Sequence, residues 1–550
     1  MSASAIAAPS VSTVALSLRL LTVATAAEAL KPEHGLSHIP STVGELWISQ
    51  TRPNSPGWVT FLGGLAPDVV GMLRTQSCSA VLFVEVTKPA KRLFAICFGQ
   101  GHHSLADGAV ERGFGLKVTL SQVARDQLRT IDSAALDSTV MQRRTQASRN
   151  ADLVAFEIDT NRELVRLASG VPKSGDFAKA LSGRDALATR AQIAPGNIVA
   201  YCERALAIYQ TKAYRRDFPF VDHVELVTDR TRCAELDALA YAQLAALVAG
   251  GASDLHLTIP DILSPGKEVE IGYFGAGFAK GRKPAFAELA IEDYVAELQR
   301  GDFASINGMA EIKASHEICV MTDGQADRTH RRKVYSCIVY EAHHKGEVYI
   351  LFDGQWYLVD RGFYGEIDKA YKGLLARPFE MQTTAVNERD FIAQLQSRSD
   401  LLCLDQTRTN PAGAKIANIE PCDFLSMSRQ IIHLKDGHAS APLSHLWNQG
   451  LVSAESFVSD AKFRSDFRKA IAARERKYSR TGFGNLVPDG RTKPVTTDFT
   501  IVFGVMRHPG MQSKSLDLPF FSKIALRAVA QRLALMGFAV ELHLIAKVKG

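Results

Sequence analysis

Short apolar runs recur along the chain, and most of them are brief enough to be β-strands. Near the N-terminus Leu16, Leu18 and Leu20 alternate with other residues, which predicts a first strand and then a helix from about Ala24. Further strand-like runs within residues 13–120 are found at 58–62, 80–86 and 92–99. A Pro-containing connection between the last two runs predicts a hairpin.

Longer polar or Ala-rich stretches predict helices. Residues 121–150 are polar and favour helix, and residues 163–169 predict a short helix that ends at a Gly-Val-Pro turn. A helix is expected near 199–211 and a longer one near 232–248, where Gly250 follows its end.

The clearest all-β pattern lies between residues 309 and 361. Its strand-like runs are 317–321, 334–341, 347–352 and 355–359. They are rich in β-branched and aromatic residues, which suits antiparallel pairing. Asp353-Gly354 between the last two runs predicts a type I′ hairpin turn. Residues 362–400 return to a helical pattern.

The C-terminal region has a strand–helix–strand pattern. A helix over about 453–478 precedes a strand at 499–506, a helix at 522–536 and a strand at 539–546. A crossover helix of this kind favours parallel strands. The chain is therefore expected to be a multidomain α+β protein. Its predicted domains are an N-terminal mixed α/β domain at 13–195, a helical segment with an antiparallel β-meander at 196–400, and a C-terminal α/β domain at 401–550.

Composition narrows the class of protein. At 550 residues the chain is too long for one core, and 46% hydrophobic with 22% charged residues excludes general disorder. No apolar run reaches the roughly 18–20 residues that span a bilayer, so no membrane association is expected. The eight cysteines contain no Cys-x-x-Cys pair, which excludes a zinc ribbon and suits a cytoplasmic protein.

The segment from Glu420 to Lys435 carries the most specific chemistry. Asp423 precedes a strand-like run that ends in His433-Leu-Lys435. This layout resembles nucleases of the PD-(D/E)xK type, in which an Asp holds a divalent metal and the next strand presents a second ligand and a Lys. The resemblance implies that Asp423, His433 and Lys435 are catalytic, that Asp423 or Glu420 binds the metal, and that the cofactor is Mg²⁺ or Mn²⁺.

Two details bear on this resemblance. The strand period of two places His433 and Lys435 on one face, but His433 stands where an acid is usual, and imidazole prefers softer metals than Mg²⁺. The segment 444–450 follows where such nucleases have a helix with a polar residue, which here is Gln449.

Other readings of the same segment stay open. The His-x-Lys pair also occurs in phospholipase-D-type enzymes, but Asp436 directly follows Lys435, which is the wrong spacing for that class. An edge strand with a basic rim would have the same composition.

Local basic clusters matter more than the net charge of +6. The expected phosphate-binding residues are Arg143, Arg144, Arg149, Arg331, Arg332 and Lys333, together with Gln449. Solvated surface positions are the simpler interpretation of each cluster. If the clusters do bind phosphate, the partner would be DNA or RNA, and no protein partner is indicated.

Landmarks along nearly the whole chain resemble a "sporadically distributed" bacterial protein family of unknown function. They are FGLKVTL at 114–120, LSGRDAL at 181–187, FDGQWYLVD at 352–360, IHLK at 432–435, SHLWNQG at 444–450 and LPFFSK at 518–523. The patchy occurrence of that family with mobile DNA implies a defence or mobile-element role. The expected function is thus a cytoplasmic protein that acts on nucleic acid as a metal-dependent nuclease, and the alternative is a non-catalytic nucleic-acid-binding or sensor protein.

Overall fold

The computed structural model divides the chain into two compact units. One comprises Met1–Ala134 and Gln142–Asp222, and the other comprises Ala135–Met141 and His223–Gly550. The structure describes residues 12–50, 53–56, 58–106, 108–135, 142–158, 163–251, 253, 255–258, 270–281, 284–287, 289–322, 325–409, 412, 419–437, 440–508 and 516–548.

The first unit is built on a large, mostly antiparallel sheet. Its strands are β1 Ser12–Leu20, β2 Ser37–Ile39, β3 Glu45–Gln50, β4 Cys78–Val86, β5 Arg92–Gly99, β6 Val123–Ala135, β7 Gln142–Ala151, β8 Glu163–Pro172, β9 Ala180–Gly183 and β10 Leu187–Ile193. They follow the order β2-β3-β4-β5-β1-β10-β9-β8-β6-β7. Its helices are α1 Ala26–Ala29, α2 Val59–Gly63, α3 Val69–Met72, α4 Phe114–Gln122 and α5 Ile198–Thr211.

One face of this sheet is buried, and the alternation in β1 shows why. Leu16, Leu18 and Leu20 point into the first core, as their spacing predicts. Cys202 and Leu206 on α5 are buried in the same core. The first unit therefore extends to Asp222 rather than ending at the expected residue 195, because α5 has its apolar partners in this sheet.

Three local expectations in this unit are wrong. Most of the described residues within 121–150 lie in strands β6 and β7, residues 163–169 belong to strand β8, and the run at 58–62 is largely helix α2. In β6 the buried residues Leu128, Ile131 and Ala134 are spaced three apart, which mimics a helix. Ile131 and Ala134 lie in one uninterrupted register with β7, so strand alternation turns them to opposite faces, and both faces of β6 are buried there.

The second unit contains eight α-helices among its described residues. They are α6 Arg230–Val248, α7 Ile291–Arg300, α8 Met309–Ser315, α9 Arg361–Leu374, α10 Glu388–Leu395, α11 Ser440–Ser459, α12 Ala461–Tyr478 and α13 Phe520–Leu535. The helix expected over 453–478 is therefore two helices, and Asp460 caps the second by accepting the Phe463 N–H.

Two antiparallel sheets occupy the first half of this unit. The strands are β11 Val224–Leu226, β12 His256–Leu257, β13 Ile271–Phe274, β14 Glu317–Thr322, β15 Gln325–Lys333, β16 Ile338–His344, β17 Glu347–Phe352 and β18 Gln355–Val359. One sheet has the order β11-β18-β17-β16-β12, and the other has the order β13-β14-β15. The predicted meander is confirmed for β16, β17 and β18, but its first run pairs in the separate three-stranded sheet. Asp353 and Gly354 both have positive φ, as a type I′ turn requires.

A mixed sheet forms the C-terminal half. Its strands are β19 Gln382–Thr383, β20 Leu401–Cys403, β21 Phe424–Ser426, β22 Gln430–Asp436, β23 Thr500–Arg507 and β24 Ala539–Lys547. The order is β19-β24-β23-β22-β21-β20. Strands β20, β21 and β22 pair antiparallel, and β22, β23 and β24 pair parallel, with α13 as the crossover of the last pair. The predicted strand–helix–strand unit is confirmed.

The chain is thus an α+β protein with several sheets, as its pattern predicts. Within the residues that the structure describes, no helix is both long enough and apolar enough to cross a bilayer.

Candidate functional site

Three carboxylates converge at one end of the antiparallel part of the mixed sheet. Asp405, Glu420 and Asp423 each place a carboxylate oxygen within 4.8 Å of the other two. Divalent cations bind carboxylate oxygens at about 2.0–2.6 Å, so ligand atoms around one ion lie up to about 4–5 Å apart. The three residues therefore have the chemistry and spacing of a divalent-cation site.

Strand pairing explains this convergence. Asp405 lies just beyond the end of β20, and Asp423 immediately precedes β21. Because these strands are antiparallel, the end of one meets the beginning of the other. The Asp423 carbonyl accepts hydrogen bonds from Leu404 N–H at 2.7 Å and Asp405 N–H at 3.1 Å. The backbone thus fixes the two acids side by side.

Two of the three carboxylates are also held by specific donors. Leu434 N–H on β22 donates to Asp423 Oδ2 at 2.6 Å, and Gln406 N–H donates to Glu420 Oε1. Gln449 on α11 donates from Nε2 to Glu420 Oε2 at 3.2 Å. Gln449, which was expected to contact nucleic acid, therefore belongs to the carboxylate group and orients one of its members.

The electrostatics of the group favour a bound cation. Asp423 is buried, and burial together with the Glu420, Glu388 and Asp405 carboxylates raises its pKa well above the usual range. Burial and the neighbouring acids also raise the pKa of Glu420 and of Asp405. A divalent cation among the three would offset both the desolvation and the mutual repulsion.

Lys435 forms an ion pair with Glu388, an acid whose charge acts on Asp423. Its Nζ lies 2.9 Å from a carboxylate oxygen of Glu388, the first residue of α10, and the two side chains are 30% and 31% exposed. Glu388 in turn raises the pKa of Asp423, which places it beside the group. The Lys435 ammonium is thus paired with an acid whose charge acts on Asp423, and it remains partly exposed to solvent.

Arg474 on α12 supports the loop that carries Asp405. Its guanidinium donates to the Asp405 carbonyl at 2.6 Å and to Thr407 Oγ1 at 3.4 Å. Ser453 on α11 donates to the Pro421 carbonyl at 2.5 Å. Two helices therefore hold the two connections from which the acids project.

His433 lies outside the group of three carboxylates. It is fully buried on β22, opposite Phe503 in the strand register, and burial lowers its pKa to about 3. Neither ring nitrogen has a hydrogen-bond partner among the described residues. His433 is nevertheless close by, because Asp423 N–H donates to the carbonyl of the preceding Ile432 at 2.9 Å.

The predicted phosphate-binding arginines near residue 145 lie on strands. Arg143 donates to the Glu157 carbonyl, and Arg144 makes two hydrogen bonds to Asp132. Arg149 is exposed on β7. The three arginines do not form the predicted helical surface, because they lie on strand β7, the last strand in the order of the first sheet.

The second basic cluster lies on β15, at the edge of the three-stranded sheet. Arg331 and Lys333 both form ion pairs with Glu317, at 3.3 Å and 3.0 Å. Arg332 is partly buried between them. None of these residues is close in sequence to the carboxylate group, and their phosphate-binding role stays a prediction.

Asp405 and Glu388 are not predicted as site residues from the sequence. Asp405 follows the apolar run 401–404, and an acid at the end of a strand-like run is the one local signal for it. Glu388 follows Asn387, which caps α10 by accepting the Asp390 N–H. Neither position indicates by itself that it meets Asp423.

The comparisons with known proteins agree with an uncharacterised family. No curated protein and no solved structure matches the chain. One family model, described as a family of unknown function (DUF6119), matches residues 16–546. Because this match covers nearly the whole sequence, the chain belongs to the DUF6119 family.

Proposed function

We propose that the chain is a divalent-metal-dependent nuclease whose active centre comprises Asp405, Glu420, Asp423 and Lys435. The observation that carries the proposal is the group of three carboxylates with oxygens within 4.8 Å of one another, and it is supported by Lys435, which pairs with Glu388, an acid whose charge acts on Asp423. This combination of acids and a lysine is the one that the sequence resemblance implies, although Asp405 takes part where His433 was expected.

The residues divide the work by their chemistry. A cation held by the carboxylates would supply a Lewis acid and lower the pKa of a bound water. Gln449 and the Gln406 N–H keep Glu420 oriented, and the Leu434 N–H does the same for Asp423. Lys435 would donate to a phosphate oxygen that gains negative charge as water attacks phosphorus and the bond to the leaving oxygen breaks.

Mg²⁺ and Mn²⁺ both suit an all-oxygen ligand set. Nucleic acid is the proposed substrate because phosphodiesters pair with both a metal and an ammonium group. Such an activity in the cytoplasm suits a defence or mobile-element system, which is the setting implied by the family resemblance.

The test is cleavage of single- and double-stranded DNA and RNA with Mg²⁺, with Mn²⁺ and with EDTA. Asp405→Asn and Asp423→Asn should each lose more activity than the roughly 10–100-fold that outer-shell changes cost. The matched control is Asp466→Asn, which removes an acid that pairs with Lys462 and Lys469 on α12.

Two results would contradict the proposal. One is cleavage that persists in EDTA, and the other is equal activity in the Asp423 and Asp466 variants. Wild-type protein that binds nucleic acid but cleaves none with either metal would leave the alternative, a binding or sensor protein.

A further inference from the structure

A second candidate site lies in the first unit, on the face of the sheet opposite its core. A groove with a volume of about 600 Å³ crosses the strands from β1 to β7. Ligand sites in proteins commonly have volumes of about 300–1,000 Å³. The groove is therefore large enough for a small ligand or a short stretch of polymer.

Three cationic side chains line this groove. They are Arg129 on β6, Lys179 just before β9, and Arg190 on β10. All three are exposed, and Lys179 and Arg190 form no ion pair or side-chain hydrogen bond with the residues that the structure describes. None of the described residues that line the groove carries a carboxylate. Its charge is thus positive and not balanced locally.

The cations stand at two places with a floor of small side chains between them. Lys179 N–H donates to the Arg190 carbonyl at 2.8 Å, so these two are neighbours. Three steps in strand order separate β10 from β6, which is about 14 Å at about 4.8 Å a step. Ser169 and Ser182 pair across β8 and β9 within this span, and Ala188 on β10 is exposed beside them.

The floor also offers hydrogen bonds. The hydroxyls of Ser169 and Ser182 have no partner among the described residues. Asn150 accepts the Arg129 Nε–H at 2.7 Å, which orients that guanidinium and leaves its other N–H groups free of this contact. Phosphate oxygens accept from guanidinium, ammonium and hydroxyl donors alike.

We infer that this groove binds a short stretch of single-stranded nucleic acid through its phosphates. The positive charge of the lining favours an anionic ligand. Because Arg129 is separated from the Lys179 and Arg190 pair, a ligand that contacts both must be extended and carry more than one phosphate. A single strand of nucleic acid can lie along the face of a sheet. A double helix is instead recognised by a protein element that enters the major groove of the duplex. The described lining residues include no aromatic side chain, so we expect no stacking of bases on them and binding that tolerates sequence.

This inference does not rest on the carboxylate group of the second unit. It is tested with the full-length protein and a fluorescently labelled oligonucleotide of about 12 nucleotides, with EDTA present so that metal-dependent cleavage cannot contribute. Wild-type protein that binds the oligonucleotide but cleaves no nucleic acid would contradict only the proposed nuclease function. Groove variants that cleave and bind as the wild type does would contradict only the inference that the groove binds nucleic acid.

The expected result concerns salt and charge together. Three phosphate contacts give a log–log salt slope of about −2, so affinity should fall about 20-fold between about 50 and 200 mM salt. The double variant Lys179→Gln, Arg190→Gln should lower affinity and leave a slope of about −0.7. The matched control is Lys88→Gln, Lys91→Gln, which removes two exposed cations outside the groove.

A second pair of variants separates charge from bulk. Ala188→Glu places a carboxylate on the floor, and Ala188→Gln places an amide of the same size there. We expect the Glu variant to bind at least tenfold more weakly than the Gln variant. Equal affinities in this pair, a groove variant that matches its control, or binding of ATP without binding of the oligonucleotide would each overturn the inference.

Discussion

Lys435 is the residue on which the proposed catalysis can be separated from binding. Its ammonium group pairs with Glu388 at 2.9 Å and remains partly exposed. A cation in this place acts mainly on the charge that develops in the transition state, so its loss lowers turnover more than ground-state affinity.

Lys435→Ala should therefore lower kcat by about 100-fold or more while the affinity for uncleaved nucleic acid changes less than about threefold. Turnover and affinity are measured for both proteins in Mn²⁺ and in Ca²⁺. Lys462→Ala is the control, because Lys462 is also an ion-paired lysine of the second unit. A loss of affinity that accounts for the whole loss of kcat/KM would make Lys435 a binding residue.

His433 has an environment that resists protonation. Burial lowers its pKa to about 3, and its ring packs near Phe503 with a centroid separation of 6.2 Å. The unfolded chain gains a proton near the ordinary histidine pKa of about 6.5, whereas the folded chain does not until about 3. The contribution of His433 to stability is therefore present above the unfolded pKa and is lost as pH falls through this window.

His433→Leu should reduce the loss of stability between pH 7 and pH 5, by about 1–2 kcal/mol in the free energy of unfolding. Urea unfolding of wild type and variant at both pH values measures it. An unchanged pH dependence would contradict the buried neutral state. Metal affinity in the same variant tests the other role, since a ligand would lower it and a packing residue would not.

At the scale of elements, the carboxylate group depends on where two strands end. Asp405 projects from the connection after β20, and Arg474 of α12 fixes that connection through the Asp405 carbonyl at 2.6 Å. A side chain of α12 thus holds the main chain of an acid that projects from another element. An arginine of this kind acts through geometry, and its effect should appear in metal binding before it appears in folding.

Arg474→Met should weaken the apparent affinity for Mn²⁺ by about 10–100-fold, the range for residues that support metal ligands. The measurement is cleavage rate against Mn²⁺ concentration, and saturating metal should restore most of kcat. Arg476→Met is the matched control on the same helix, because Arg476 is exposed and its one hydrogen bond among the described residues is to the Ala472 carbonyl. Equal metal affinity in both variants would remove Arg474 from this role.

The whole molecule consists of two units with separate hydrophobic cores. The first core gathers residues from β1 to Val221, and the cores of the second unit gather residues from 227 onward. Units with their own cores can unfold as separate cooperative transitions. The carboxylate group belongs entirely to the second unit, so a bound cation stabilises that unit alone.

Calorimetry should therefore resolve two transitions, of which Mn²⁺ raises only one, by a few degrees at about 100 times its Kd. The raised pKa of Asp423 makes the metal-free second unit less stable as pH rises above the ordinary carboxyl pKa. The shift caused by the metal should accordingly be larger at pH 7.5 than at pH 5, and absent in Asp423→Asn. Equal shifts at both pH values would contradict the electrostatic account.

Local patterns determined much of the secondary structure. The alternation at Leu16, Leu18 and Leu20, the turn at Asp353-Gly354, and the unit β23–α13–β24 depend on neighbours within a few residues, and each is confirmed. Such features follow from a period of two, a required positive φ, or a crossover length, all of which the sequence expresses directly.

Tertiary structure alone decided the register and the site. The three-residue spacing in β6 resembles a helix until pairing with β7 shows a strand that is buried on both faces. Asp405 and Glu388 become neighbours of Asp423 only through pairing and packing of β20, β21 and α10. Sequence therefore indicated Asp423, Glu420 and Lys435, whose separation along the chain is short. Non-local contacts decide which distant strand ends meet. Such contacts produce no periodic pattern in the sequence, so they cannot be predicted from it.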